Sequence, residues 1–255
     1  MDINSFSRSD LLKLAEISGV HAGDGYLRNG GNRWEWDISG SYDEKEYYDN
    51  HLIPLFKSVF NIKIEGRYFP HRSTYGFVIR DKKVIKFAHD ALKFPYGAKS
   101  TIVSASPFVF KNVELMKNFF RGYFDTDGSF SCGKKYGKGI EFKRKYHCYP
   151  RVTLVTVSNN LSLDLQRLLN KLDIGYCHYN YMPKPVNENL KYIYNLNGIG
   201  NAEKLILLIN PKNHTKMSRY LIWKKFGFCP TNISYAQREK VLKDSLDPYS
   251  FYKGL

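Results

Sequence analysis

Two aspartates stand out by their setting. Asp24 and Asp127 each precede a glycine, Gly25 and Gly128, and each closes a stretch with helical apolar spacing. A carboxylate is poorly placed at a helix C-terminus, because that end already carries partial negative charge. Glycine after a helix is a common terminator. That accounts for Gly25 and Gly128, but not for the acid ahead of each. Two such helices packed side by side would bring the carboxylates together, and the pair would need a cation. Mg²⁺ suits, as an oxygen-seeking ion held by one or two carboxylates plus substrate phosphate. The same arrangement could recruit two metals about 4 Å apart for in-line displacement at a phosphodiester.

The two aspartates belong to a repeat. Leu12–Leu27 reads LKLAEISGVHAGDGYL and Leu115–Phe130 reads LMKNFFRGYFDTDGSF. At an offset of 103 residues (24 to 127), Leu12 meets Leu115, Gly19 meets Gly122, Asp24 meets Asp127 and Gly25 meets Gly128. Gly19 and Gly23, and likewise Gly122 and Thr126, are four apart and share a helix face. Small residues there let a second helix approach closely. Two other motif readings fail. Asp125-Thr-Asp127-Gly128 begins like a calcium loop, but its twelfth position is Tyr136 rather than Glu. Gly23-Asp-Gly25 begins like a dinucleotide fingerprint, but Arg28 stands where the third glycine should be.

The elements that must position these residues also repeat. After the first motif, Trp34, Trp36 and Ile38 alternate with polar residues as in a half-buried strand. A helix fits 43–60, strands fit 62–69 and 74–80, and a short helix fits 82–92. After the second motif, strands fit 129–134, 140–146 and 151–158. A helix fits 160–172, capped by Asn159 or Asn160. Strands at 176–182 and 191–197 and a helix at 202–209 complete the half. Each half therefore reads α-β-β-α-β-β-α. Further helices fit 216–226 and 236–246. The division expected is 1–108, 109–230 and a tail of 231–255, with the halves joined through Pro95–Asn112.

Bulk composition narrows the partner. The 255 residues carry 39 Lys and Arg against 24 Asp and Glu, a net charge of +15. That excess favours a polyanion. Aromatic residues make up 16%, which suits nucleic acid, although most serve cores and sheets. No apolar run is long enough to span a bilayer, so no membrane association is expected. The N-terminus lacks a signal-peptide pattern, and the chain is expected in the cytoplasm or an organelle, at the nucleoid, and not secreted. Cys132, Cys148, Cys177 and Cys229 lack zinc-site spacing and read as reduced thiols.

At its motif residues the sequence resembles the LAGLIDADG homing endonucleases, of the single-chain type with two motif copies. Phe120-Arg-Gly-Tyr-Phe-Asp-Thr-Asp-Gly128 fits the motif throughout. Ile17-Ser-Gly-Val-His-Ala-Gly-Asp-Gly25 keeps the small residue, the final acid and the final glycine, and departs at Ala22, where the family often has a structural acid. The resemblance covers about residues 10–228. It implies a mixed α+β fold: two pseudo-symmetric αββαββα halves forming a saddle of antiparallel sheets around two packed motif helices. It implies a monomer that binds double-stranded DNA. The enzyme would cut a long asymmetric site with divalent metal, leaving short 3′ overhangs. Asp24 and Asp127 would be metal ligands sharing two or three Mg²⁺ ions, with the carbonyls of Gly23 and Thr126 completing the shell. Basic residues assist near the active site. By position these are Lys99 and Lys216, with Lys82, Lys83 and Lys212 as alternatives.

Charge placement supplies DNA-facing candidates. Arg33, Arg67, Arg72 and Arg80 lie around the strands of the first half. In the second half, the 18 residues from Lys134 to Arg151 hold seven basic residues, among them Lys134, Lys135, Lys143, Arg144, Lys145 and Arg151, against Glu141 alone. Such a run suits phosphate and base contacts, where a generic charge cluster would be only a solvated hairpin face. Tyr179, Tyr181, Tyr192 and Tyr194 read as cross-strand packing. The rival readings are an intron-RNA maturase or a catalytically idle nucleic-acid-binding protein on the same fold. A small-molecule α/β enzyme is disfavoured, since no phosphate loop or nucleophile arrangement is found and it leaves the charge unexplained.

Overall fold

A computed structural model describes residues 1–134, 146–183 and 188–252. The first motif lies in α1 (Arg8–Asp24), which starts where the Ser7 hydroxyl accepts from the Asp10 N–H. The second lies in α5 (Val113–Asp127), started in the same way by Asn112 and Leu115. These caps satisfy amides that have no partner within the helix.

α1 and α5 cross at their small residues. A Cβ on Gly19 would overlap the carbonyl oxygen of Phe119, and one on Gly122 would overlap that of Glu16. Further along, a Cβ on Gly23 would strike the Thr126 side chain. The seam is therefore backbone on backbone. Both helices end in extended glycines, Gly25 at φ −78° and Gly128 at φ −70°. Both do terminate their helices, but neither is in the left-handed conformation that glycine terminators commonly adopt. They are glycines for want of room: a Cβ would collide with His21 and Phe124 of the preceding turn. The chain passes straight from helix into strand.

Each motif helix feeds a four-stranded antiparallel sheet. The first comprises β1 (Gly25–Gly30), β2 (Arg33–Ser41), β3 (Arg67–Phe69) and β4 (Thr74–Ile79), in the order β1-β2-β4-β3. The second comprises β5 (Ser129–Gly133), β6 (Tyr149–Thr156), β7 (Cys177–Tyr181) and β8 (Lys191–Asn197), in the matching order β5-β6-β8-β7. Alternation gives each sheet one core face. Leu27, Trp36, Ile38 and Phe77 are buried in the first, and Phe130, Leu154, Tyr194 and Leu196 in the second. Helices cover these faces. Phe56 packs edge-on to Trp36 and Phe77, with ring centroids 5.2 and 5.0 Å apart.

The expected helix at 43–60 is four pieces: a 3-10 turn (Tyr42–Glu44), α2 (Lys45–Tyr47), a π-helical turn (Tyr48–Leu52) and α3 (Ile53–Phe60). Pro54 lacks an amide and crowds the preceding turn, which the wider π turn accommodates. The strand expected at 62–69 shortens to β3, with Ile64 buried ahead of it. The strand at 140–146 falls, apart from Tyr146, outside the described residues. α4 (Lys82–Asp90), α6 (Asn159–Lys171), α7 (Gly198–Ile209), α8 (His214–Phe226) and α9 (Tyr235–Leu242) lie close to their expected places.

The cap of α6 is Ser158, one residue ahead of the two asparagines expected. Its hydroxyl accepts from the Leu161 N–H at 3.3 Å and donates to the Val103 carbonyl at 2.6 Å. Ser158→Ala removes both bonds at a fully buried site. Urea unfolding should show a loss of about 1–2 kcal/mol.

Candidate metal and nucleic-acid site

The C-terminal ends of α1 and α5 come together. A Cβ on Gly23 would lie 3.3 Å from the Asp127 carboxyl carbon. Asp24 and Asp127 face the same region, and each raises the problem expected of paired acids. Desolvation pushes the Asp24 pKa up to about 7, helped by the charges of Asp127 and Glu44 and opposed by Tyr48 and Lys216. Desolvation also raises Asp127, against the pull of Lys99 and Lys216.

The two lysines singled out by position occupy matching places. Lys99, in the chain between the halves, donates to the carbonyls of Ala22 and Gly23 at 2.7 and 2.6 Å. Lys216, in the first turn of α8, donates to the carbonyls of Thr126 and Gly128, the latter at 3.0 Å. Each ammonium thus caps the negative end of one motif helix. Burial holds Lys99 below its ordinary pKa, against the pull of Asp127 and Asp24. Lys82 instead lies over the Trp34 ring, 5.0 Å from its centroid. Lys83 is exposed on α4, and Lys212 contributes its backbone N–H to Asp125.

Asp125, four residues after Arg121, does different work from Asp127. Its carboxylate accepts from the backbone N–H of Lys212 at 2.8 Å and of Asn213 at 3.2 Å, anchoring the entry to α8. Burial still pushes its pKa up to about 7. Asn213, fully buried, donates to the Asp125 carbonyl and to the Glu44 carboxylate, both at 2.8 Å. Glu44 also accepts from the Ser41 N–H at 3.1 Å. This chain of bonds joins the halves beside the acids.

Sequence reasoning missed Glu44 and Tyr48. The Tyr48 hydroxyl donates to Asp24 at 2.8 Å. A Cβ on Gly40 would lie within 3.0 Å of the Asp24, Glu44 and Tyr48 oxygens, so the cluster closes around a glycine. Ser41-x-x-Glu44 is a capping box in the sequence and signals a helix start. No local signal marks its proximity to Asp24.

Two carboxylates and backbone carbonyls are donors of the kind a hard divalent cation takes, although the Gly23 and Thr126 carbonyls already accept from Lys99 and Lys216. Among the described residues no cluster of three His, Cys, Asp or Glu forms a metal site. Further oxygens would have to come from water or from a bound phosphate.

The outer faces of both sheets carry part of the expected basic set. Arg33 and Arg67 are exposed on the first. Arg72 pairs with Asp37 at 2.8 Å and Arg80 with Glu35 at 3.2 Å, so their charge is partly spoken for. Arg28, not among the candidates, is exposed opposite Glu35 on the same face. On the second sheet Arg151 is exposed and donates to Asn197 at 2.8 Å. Lys134 follows β5 at its edge. Lys135, Lys143, Arg144 and Lys145 lie outside the described residues. Tyr179 and Tyr181 are about half exposed on the outer face, whereas Tyr194 is buried on the inner one.

Comparisons with known proteins agree with this architecture. Residues 114–210 match the LAGLIDADG-like domain. The greater part of the second half is therefore a LAGLIDADG-like domain. Solved structures extend the likeness over both halves. A mutant of I-SmaMI matches at a TM-score of 0.55 and 11% identity, covering 94% of this chain and 98% of that one. The LAGLIDADG meganuclease I-AabMI, bound to uncleaved DNA, matches at 0.53 and 12%, covering 94% and 98%. The homing endonuclease I-DmoI, in complex with DNA and Mn, matches at 0.51 and 17%, covering 78% and 97%. At these identities the likeness is one of fold. No curated protein matches the sequence. Among the described residues, no helix is long and apolar enough to cross a membrane.

Proposed function

We propose that this chain is a site-specific, divalent-metal-dependent DNA endonuclease that acts as a monomer on a long asymmetric duplex site. The carrying observation is the convergence of Asp24 and Asp127 at the paired helix ends, with Lys99 and Lys216 beside them. I-AabMI and I-DmoI, similar in fold, are bound to DNA and to DNA and Mn, and this chain offers two sheet faces bearing exposed arginines. A major groove admits such a β surface. The two halves differ in sequence, so the site should differ between its ends.

Asp24 and Asp127 would hold Mg²⁺, and the Gly23 and Thr126 carbonyls, which also accept from Lys99 and Lys216, would join as further donors only through their second lone pairs. Bound there, the metal would supply a nucleophilic water and stabilise the leaving 3′ oxygen. Tyr48 orients the Asp24 carboxylate. Lys99 and Lys216 place positive charge where negative charge develops on the phosphate. The test is incubation of the protein with a genomic or randomised duplex library, with Mg²⁺ or with EDTA. Double-strand breaks at one long site, with short 3′ overhangs and only with metal, are expected. Binding without breaks, above all to structured RNA, would overturn the reading.

The raised pKa of Asp24 gives this reading a pH dependence. An aspartate near pKa 7 in the fold and near 3.9 when unfolded holds its proton more tightly folded. Metal-free stability should therefore fall as pH rises from about 4 to about 7. Metal must displace that proton, so Mn²⁺ or Mg²⁺ affinity should weaken as pH drops below about 7. Calorimetric titration at pH 6 and pH 8 measures it, and equal affinities would show that metal binding displaces no proton from Asp24 over this range.

A further inference from the structure

A basic pocket opens close to Asp127, between the start of β5, α8 and α9. Its volume is about 180 Å³. The polar groups lining it are Ser129, Thr215, Lys216, Arg219 and Arg238. Three are cations and two are hydroxyls, and no carboxylate lines it. None of the three cations forms an ion pair among the described residues.

Arg238 is the unusual member. It belongs to α9, beyond the second half of the repeat, and it is only 8% exposed. Its Nε is buried and has no hydrogen-bond partner. A buried guanidinium left in that state is unfavourable. Burial and the neighbouring Arg219 hold it below its ordinary pKa. Compensation nearby is slight. Its guanidinium carbon lies 5.6 Å from the Tyr235 ring centroid, and Asp43 attracts it from outside the pocket wall. Asp127 acts in the same way on Lys216. The Cys229 thiol, close to both arginines, is raised by burial above its ordinary value and stays neutral. The site is thus short of one anion.

We propose that this pocket binds a phosphate group, held by Arg219 and Arg238 beside Lys216. Guanidinium forks match phosphate oxygens with paired hydrogen bonds. The volume, several times the roughly 30 Å³ of one water, accommodates a tetrahedral oxyanion. Ser129 is two residues from Asp127, so the bound phosphate lies next to the aspartates. It belongs to the backbone of a bound nucleic acid flanking the reacting phosphodiester. Only this source rests on the proposed function, since the anion chemistry stands without it.

The test compares wild type with Arg238→Gln and Arg219→Gln. Arg238→Lys serves as a third variant that keeps the charge but loses the fork. Melting is followed with inorganic phosphate and with chloride at equal ionic strength. Phosphate should raise the wild-type Tm about 3 °C beyond chloride, and the glutamine variants should lose that rise. Duplex binding is then titrated against salt. The slope of log K against log salt should fall by about 1 in Arg238→Gln. A changed slope without a phosphate effect also supports the site and places its anion on the nucleic acid. A phosphate effect with unchanged slope supports the site but assigns it to free phosphate, overturning the backbone source. Neither effect, in variants that melt like wild type, overturns the proposal. The Tm arm needs no cleavage, so failure of the endonuclease reading would be seen separately.

Discussion

Asp127→Asn should abolish cleavage while leaving DNA binding intact. Asparagine keeps the shape and one acceptor but loses the charge that a metal ligand must carry. Metal ions contribute several kcal/mol of transition-state stabilisation at a phosphoryl oxygen. A loss of about 10³-fold or more in rate follows. Binding should hold or tighten slightly, because a negative charge facing the phosphates is removed. Asp24→Asn should do the same, since its amide oxygen can still accept from the Tyr48 hydroxyl now 2.8 Å away. The neutral side chain should also raise metal-free stability, because the Asp24 carboxyl already favours its proton in the fold. Single-turnover cleavage and gel-shift titrations on one duplex measure both parts. Loss of binding in a variant that melts normally would overturn the role of these acids, as would retained cleavage.

Gly122→Ala should be strongly destabilising, although alanine is the better helix former by about 1 kcal/mol. The added Cβ would meet the Glu16 backbone carbonyl of α1. A backbone oxygen in a helix cannot rotate away as a side chain would. The two helices would have to part along a seam formed by Glu16, Gly19 and Val20 of α1 against Phe119, Gly122 and Tyr123 of α5, all buried. A loss of about 3 kcal/mol or more is expected. Gly200→Ala in α7 is the control. A Cβ there meets nothing within 4 Å, so the same substitution should be neutral or stabilising by about 0.5–1 kcal/mol. Denaturant titration of both variants separates packing from propensity. Equal effects would refute the close crossing.

The sequence made the motif helices readable because small residues four apart, and an acid before glycine, recur at a fixed offset. Strand alternation at Trp34, Trp36 and Ile38 placed the inner face of the first sheet. The Lys99 and Lys216 positions followed from the resemblance rather than from any local pattern. What stayed hidden was contact made across the fold. Glu44 meets Asn213 across 169 positions of chain, and no periodicity reports on that. The π turn at Tyr48–Leu52 keeps a helical apolar pattern while shifting the side chains by a fraction of a turn. Nothing local marks Arg28, which the pairing of β1 with β2 sets on the outer face. Nothing in the sequence around Arg238 marks it, because the pocket it lines is built with α8 and β5, not with its neighbours in sequence.

The segment that joins the halves is itself stitched down. The Ser106 hydroxyl donates to the Leu92 carbonyl at 2.6 Å, the Ala105 N–H to Asp164 at 2.8 Å, and Ser158 holds Val103. A tether this short keeps each motif helix at an effective concentration of about millimolar around the other. Assembly of the pair is then unimolecular. The seam need not be strong enough to recruit a partner from solution, and it can include polar joints such as Arg121 to Glu16, at 2.8 Å. Halves loosened by a change at the crossing would be insensitive to dilution, and concentrating the protein would not bring them back together.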